Sequence, residues 1–531
     1  MTNLLGRGDS HRQVPLTKIL TDTHRSRIRR VKCDETKPHC LRCVQTGRKC
    51  DGFPVPSRGG PVATPPPAPL RSVASYSIPF RVPGSQKDRQ LLHYFCVQGA
   101  TDVSGFCQTA FWSRTALQAC QSDAIVRQAL TALSSLHIDL TTPDCRGAEA
   151  VQEATLARYG LALRALRRRV DKQDTERKQD EAVIGALICC VLFYGFESAL
   201  GNSQAAMRHL GSGLSLWAAH HSKHANRDGC LGEISDVLAR LDMQASFFDD
   251  SRVPALPLVS ADQRVLGLRR YPAQTFSGLH DAQRELVRLQ NWLLRFLLEN
   301  LAADSGLQDT GIPDPVLQEK KLLLNELGAW RQSISRLGES SPSADGGFLC
   351  SFQTLLVQHN VAKMLLASRM PDDDSVFGAV PNPAAEEIIR LAESVVRLHN
   401  NGDAASRRTL SSETGIVAPL ALLAIKCADM SLCRRAVELL IASHRREGLY
   451  DATTMATIVQ RMELLRQQRM QRFQSGQESS VASLEHWTAD VIDQAEGGMD
   501  DIGDRLAEMM EAGQKDMMLT VTMESTTQSE P

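Results

Sequence analysis

Residues 27–50 read RIRRVKCDETKPHCLRCVQTGRKC, with Cys33, Cys40, Cys43 and Cys50 spaced Cys-x6-Cys-x2-Cys-x6-Cys. Four thiolates able to converge on one ion are what a tetrahedral zinc site requires, and the two-residue Cys40–Cys43 turn aims both of its sulfurs at the same point. The cysteines sit in a strongly basic segment. Between residues 25 and 50 there are nine Lys/Arg against Asp34 and Glu35, a net charge of +7. A metal cage beside that much positive charge is suited to a polyanion, and such a patch looks for phosphates.

Further along, the chain changes character twice. Residues 54–83 hold nine prolines, among them Pro65-Pro66-Pro67, and few large apolar side chains, which makes an extended spacer that cannot pack. From about residue 85 apolar residues recur at helical spacing with almost no strand-like alternation. Ile125, Ala129, Leu133 and Leu136 share one face, as do Leu286, Leu289, Leu293 and Phe296. Helices are expected over about 85–96, 109–120, 145–172, 181–199, 204–220, 313–337, 347–369, 383–400, 416–442 and 452–473, on the order of a dozen in all. No fixed-period repeat is present, so a compact helical body is expected rather than a superhelix.

The overall charge is −1 over 531 residues, so the basic head is balanced elsewhere. Residues 484–531 supply twelve Asp/Glu against Arg505 and Lys515. This acidic, Met-containing tail is expected to be partly disordered and solvated, with binding of a partner protein as the alternative. Fourteen cysteines occur, but the ten outside the cluster are irregularly placed, several on apolar helical faces such as Cys189 and Cys190, and read as reduced buried thiols. The longest apolar run, about Ile184 to Tyr194, falls short of the roughly 20 residues of a membrane span, and the first residues lack an apolar signal core. The expectation is a soluble intracellular protein with no membrane partner.

The segment from Arg27 to Cys50 resembles the fungal two-zinc, six-cysteine cluster transcription factors, whose pattern is Cys-x2-Cys-x6-Cys, a loop, then Cys-x2-Cys-x6-Cys. The resemblance implies two short helices, two zinc ions shared by six thiolates, and a turn at Pro38. Counting back from Cys33 places Ser26 and Thr23 at the first two cysteine positions of that pattern, so two of six ligands are missing. Three readings stay open. A single zinc is held by Cys33, Cys40, Cys43 and Cys50, or by three of them with His24. Alternatively the chain has lost DNA binding and acts through its helical body as an interaction protein. In the preferred reading, residues 1–26 are not the authentic lead-in, because the resemblance begins abruptly at Arg27.

By position in the family's motif, Arg29, Arg30 and Lys32 would read bases in the major groove, the usual target being a CGG triplet, while Arg27, Arg42, Arg48 and Lys49 would hold phosphates. The body is similar to the fungal-specific transcription factor domain, on Leu91–Phe95, Phe111–Arg114, Ala129–His137, Phe193–Glu197 and Arg208–Leu214. The resemblance implies a nuclear, RNA polymerase II regulator, with biosynthetic gene clusters a frequent setting for the family. Any homodimer would form through the helical domain, since the linker is too proline-rich for a coiled coil.

The expected fold is mostly α: an atypical or disordered lead-in (1–24), an incomplete zinc-cluster DNA-binding domain (25–53), a Pro-rich linker (54–84), an all-helical regulatory domain (85–473) and an acidic, partly disordered tail (474–531). No catalytic motif is found: HExxH, GxSxG, the GxxxxGK loop and the Gly-rich dinucleotide fingerprint are all lacking. His93, His137 and His209 read as core or boundary residues, and Trp217, Trp292 and Trp330 as helix-packing residues. The chain is expected not to be an enzyme.

Overall fold

The structure, a computed structural model, describes residues 83–474 with breaks at 108, 143–150, 171–175, 222–229, 250–251, 269–275, 305–312, 341–344, 370–372, 374 and 401–407, together with Leu41 and Gln45. The chain divides into two units, Met1–Ser72 and Val73–Pro531. The second unit is a helical body, and its elements are numbered here from its own start.

Its first layer is α1 (Gln86–Tyr94), α2 (Ala100–Ser104), α3 (Ala116–Ser122) and α4 (Ala124–Thr141), with π-helical turns at Phe95–Gly99 and Phe111–Thr115. Local chemistry sets the starts. The Ser85 hydroxyl accepts from the Asp88 amide at 3.1 Å while the Asp88 carboxylate accepts from the Ser85 amide at 2.9 Å, a reciprocal cap. Asp123 caps α4 by accepting from the Ile125 amide at 2.8 Å, and Arg169 of α5 (Glu153–Val170) donates to the same carboxylate, which ties the two helices together. That ion pair and those amides hold the Asp123 carboxyl below its usual range in spite of the opposing burial.

α6 (Glu176–Leu200) and α7 (Ser203–His221) form a hairpin turned at Gly201, whose φ of +89° is open to glycine at little cost. α6 is packed on all sides. By composition, Asp180–Leu200 is long and apolar enough to cross a membrane, which the expectation of a short apolar run missed. Seventy-eight per cent of its most apolar window is buried inside the body, as in a core helix.

The second half packs α8 (Cys230–Phe248), α9 (Ala261–Leu266), α10 (Leu279–Asp304), α11 (Asp314–Glu339), α12 (Gly346–Ala367), α13 (Ser375–Gly378) and α14 (Pro383–Asn400). Leu286, Leu289, Leu293 and Phe296 of α10 are fully buried, as their spacing requires. Trp292 and Trp330 are also fully buried and Trp217 nearly so, each between helices. The Trp330 indole stacks 4.9 Å from the His359 ring and donates to the Ala282 carbonyl at 2.8 Å.

Three features depart from the expected pattern. α8 was not anticipated. The single helix expected over 416–442 is two, α15 (Val417–Lys426) and α16 (Met430–Ser443), because Asp429 stops the first register and caps the second by accepting from the Ser431 amide at 3.0 Å. The body also holds a three-stranded sheet. In it β1 (Thr409–Ser411) runs parallel to β2 (Arg445–Glu447), which turns at Gly448 (φ +56°) into antiparallel β3 (Tyr450–Asp451), followed by α17 (Ala452–Gln474), the last element among the described residues.

Candidate functional site

The residues singled out for zinc (Cys33, Cys40, Cys43, Cys50, with His24) and for DNA (Arg27, Arg29, Arg30, Lys32, Arg42, Arg48, Lys49) lie outside the described residues, as do the Pro-rich linker before residue 83 and the acidic tail. Within the cluster segment Leu41 and Gln45 are described. Both are helical and exposed. A closed structural zinc site needs four ligands, and the sequence offers four cysteines here, with Thr23 and Ser26 at the two positions where the family pattern has cysteine.

In the helical body no group of three or more His, Cys, Asp or Glu that could hold a metal occurs among the described residues. The histidines are packing groups. His137 is 2% exposed and its Nδ1 lies 2.9 Å from the Tyr94 hydroxyl, with Asp102 3.6 Å from Nε2. His209 sits beside Tyr159, whose hydroxyl donates to Glu197 at 2.5 Å and whose ring stacks 4.1 Å from Phe196. Burial lowers His209 to about 4 and raises Glu197, so both stay neutral over a wider range than in water. Six of the eight described free cysteines are buried, Cys189 and Cys190 included. Desolvation pushes the Cys107 thiol up to about 12, which makes it inert rather than nucleophilic.

Two buried carboxylates organise the middle of the body. Glu413, after β1, accepts from Arg240 Nε at 2.6 Å and Nη2 at 3.0 Å, from Trp112 Nε1 at 3.2 Å and from Thr109 at 3.4 Å. The Arg240 and Glu413 side chains are only 8% and 5% exposed, so each charge needs the other. Glu447 of β2 accepts from the Gly415 and Val417 amides at 2.8 and 2.9 Å, at the positive N-terminal end of α15, and from Arg445 Nε at 3.0 Å. Arg445 in turn lies 4.0 Å over the Phe106 ring. Residues 413–417 are therefore pinned from both sides.

Beside this loop is a cavity of about 250 Å³ that the sequence reading missed. α8, α10, α12 and α15 wall it, and Glu413, Thr414, Tyr450 and Met455 complete its lining. Its polar members occupy helical positions next to apolar ones, Gln283, Val287 and Gln290 on one face of α10. That i, i+4, i+7 stripe with glutamine at both ends is the one sequence signal that could have pointed to it.

Comparison with known proteins gives two family matches: the fungal Zn(2)-Cys(6) binuclear cluster domain over residues 25–59, and the fungal specific transcription factor domain over residues 90–244. The domain of the first match binds two zinc ions. Transcription regulator lscL of Purpureocillium lilacinum is 27% identical over 384 residues, covering 65% of this chain and 86% of the relative. The aspercryptin biosynthesis cluster-specific transcription regulator atnN of Emericella nidulans is 28% identical over 398 residues, covering 70% of this chain and 63% of the relative. The transcriptional regulatory protein moc3 of Schizosaccharomyces pombe is 64% identical over 28 residues, 5% of this chain and 6% of the relative. No solved structure matches. These are proteins of regulators rather than of enzymes.

Proposed function

Because the chain belongs to the fungal zinc-cluster transcription factors, we propose that this regulator recognises CGG-type sites at RNA polymerase II genes through residues 25–53. The family match over a segment of net charge +7 is the observation that carries this reading. Cys33, Cys40, Cys43 and Cys50 hold zinc, which locks the basic segment into one shape when bound. Arg29, Arg30 and Lys32 donate to guanine O6 and N7, while Arg27, Arg42, Arg48 and Lys49 neutralise phosphates and set the register. Residues 54–84 act as a spacer, 85–473 as the regulatory domain and site of any dimer contact, and 474–531 as an acidic tail through which the transcription machinery would be contacted. The protein works in the nucleus. The biosynthesis-cluster role named for the Emericella nidulans relative supports a biosynthetic gene cluster as the regulated set.

Thr23 and Ser26 favour one competing reading, a regulator that has lost DNA binding and works through its helical body. A gel-shift titration separates the two, using CGG-containing and scrambled duplexes with the natural chain and with Thr23→Cys/Ser26→Cys. Preference for CGG is expected, stronger in the double variant. If neither protein prefers CGG over scrambled DNA, specific recognition fails and the helical-interaction reading stands.

A further inference from the structure

We propose that the cavity between α8, α10, α12 and α15 is a binding site for a small, uncharged, mainly apolar molecule that bears a carbonyl, amide or hydroxyl group. The space is a half-open pocket rather than a sealed void, so a small molecule can enter it. This space, about 250 Å³, is far larger than the roughly 10–15 Å³ that one water occupies and approaches the range of small-molecule pockets, ~300–1,000 Å³. Its walls are mostly apolar. Met243, Phe247, Val287, Leu365, Leu422 and Met455 all face it, and such walls favour an apolar occupant over ordered water.

The polar groups decide the class. Arg240 is the cation in the lining, and its Nε and Nη2 are both spent on Glu413, so the pair offers a ligand no net charge. A carboxylate or ammonium brought into this space would remain unpaired, which is costly away from water. Gln244 and Gln358 are committed as well: Gln244 donates to the Thr414 hydroxyl at 2.8 Å, and Gln358 donates to the Thr414 and Gly415 carbonyls at 3.0 and 3.1 Å. Gln283 and Gln290 differ. They sit two turns apart on the cavity face of α10 and make no hydrogen bond to any described residue, and Gln283 is only 8% exposed. A primary amide carries donors and an acceptor together, and these two remain open to the pocket for a ligand to pair. Two such amides on an apolar wall are complementary to a neutral group that both gives and takes hydrogen bonds.

The test uses the purified full-length chain and prodan, a neutral aromatic ketone whose emission shifts to the blue on leaving water. Saturable binding of one probe per chain is expected, with a rise in melting temperature at excess probe. Anilinonaphthalene sulfonate, similar in size but anionic, should bind at least about tenfold more weakly, since the site has no cation to spare. Ala418→Trp, which places an indole from the half-buried α15 position into the space, should abolish saturable binding while the helical circular dichroism is kept. Gln290→Leu should weaken prodan by about fivefold, the worth of one hydrogen bond, and decides the matter alone if Ala418→Trp does not fold. Non-saturable binding, equal affinity for the anion, or affinity unchanged by the substitutions means surface adsorption and overturns the site. No DNA enters the experiment, so its outcome is independent of the CGG reading.

Discussion

If Cys33, Cys40, Cys43 and Cys50 hold zinc as proposed, removing one thiol leaves three donors for an ion that needs four, whereas trimming one leucine of α10 leaves a body still held by many buried neighbours. In the first region a few residues at fixed spacing carry everything, because a metal site works only when its last ligand arrives. In the second the load is spread over helix faces, each contributing a small share of burial. The two regions should therefore answer mutation differently, all-or-none at the head and in degrees in the body.

The largest effect is expected from Cys43→Ala. Zinc per chain should fall, and affinity for a CGG duplex should drop toward the non-specific level, at least about 10³-fold, while the melting temperature of the helical body stays within a degree or two. Chelation of the natural protein should reproduce both results. Zinc analysis, gel shift and calorimetry on the same preparations check this. A helical body that melts along with the zinc would mean the two regions are not energetically separate.

Within the body, the Arg240–Glu413 pair is where the graded response should give way to a steep one. Glu413→Leu leaves a guanidinium 8% exposed without its hydrogen-bonded carboxylate and also strips a partner from Trp112 and Thr109. A loss of about 3–5 kcal/mol in urea unfolding is expected. Arg240→Met/Glu413→Leu together should recover most of it, since an apolar pair costs no charge burial. If the double variant is as unstable as the single, the pair is not what holds residues 413–417.

How much of this could be read beforehand follows the same division. The zinc segment was legible because its chemistry depends on residue type and spacing, and the faces of α4 and α10 were legible because burial repeats every 3.6 residues. α8 escaped because its buried side contains Asp242 and Gln244, 1% and 2% exposed, which a search for apolar stripes discards. The break at Asp429 was hidden by apolar periodicity that continues through it, and strands of two or three residues are too short to show alternation. Glu413 and Glu447 look in sequence like any solvated loop carboxylate. Only the tertiary arrangement that brings Arg240 and the first amides of α15 to them makes them structural, and that same arrangement defines the cavity.

Acid should act on both regions, and the comparison can be tested by separating them. Burial holds His209 and His399 at about 4 and lowers His359 as well, against an ordinary 6.5. Between those values the unfolded chain takes up protons at these rings and the folded chain does not. Stability is therefore fully present above about 6.5 and falls as pH drops toward 4. With both rings partly open to solvent, the loss is on the order of 1 kcal/mol for each. Glu197, raised by burial, opposes part of it, and the lowered Asp88, Asp123 and Asp451 add their own losses only below their ordinary 3.8. Zinc thiolates also take up protons in acid, so metal release could be mistaken for this slope. Melting curves of the natural chain from pH 7 to 4, repeated with chelator, are expected to fall in parallel. His209→Gln/His399→Gln should flatten both, and a slope that the chelator removes, or that the double substitution leaves intact, would assign the acid sensitivity to the metal segment instead of to the buried rings.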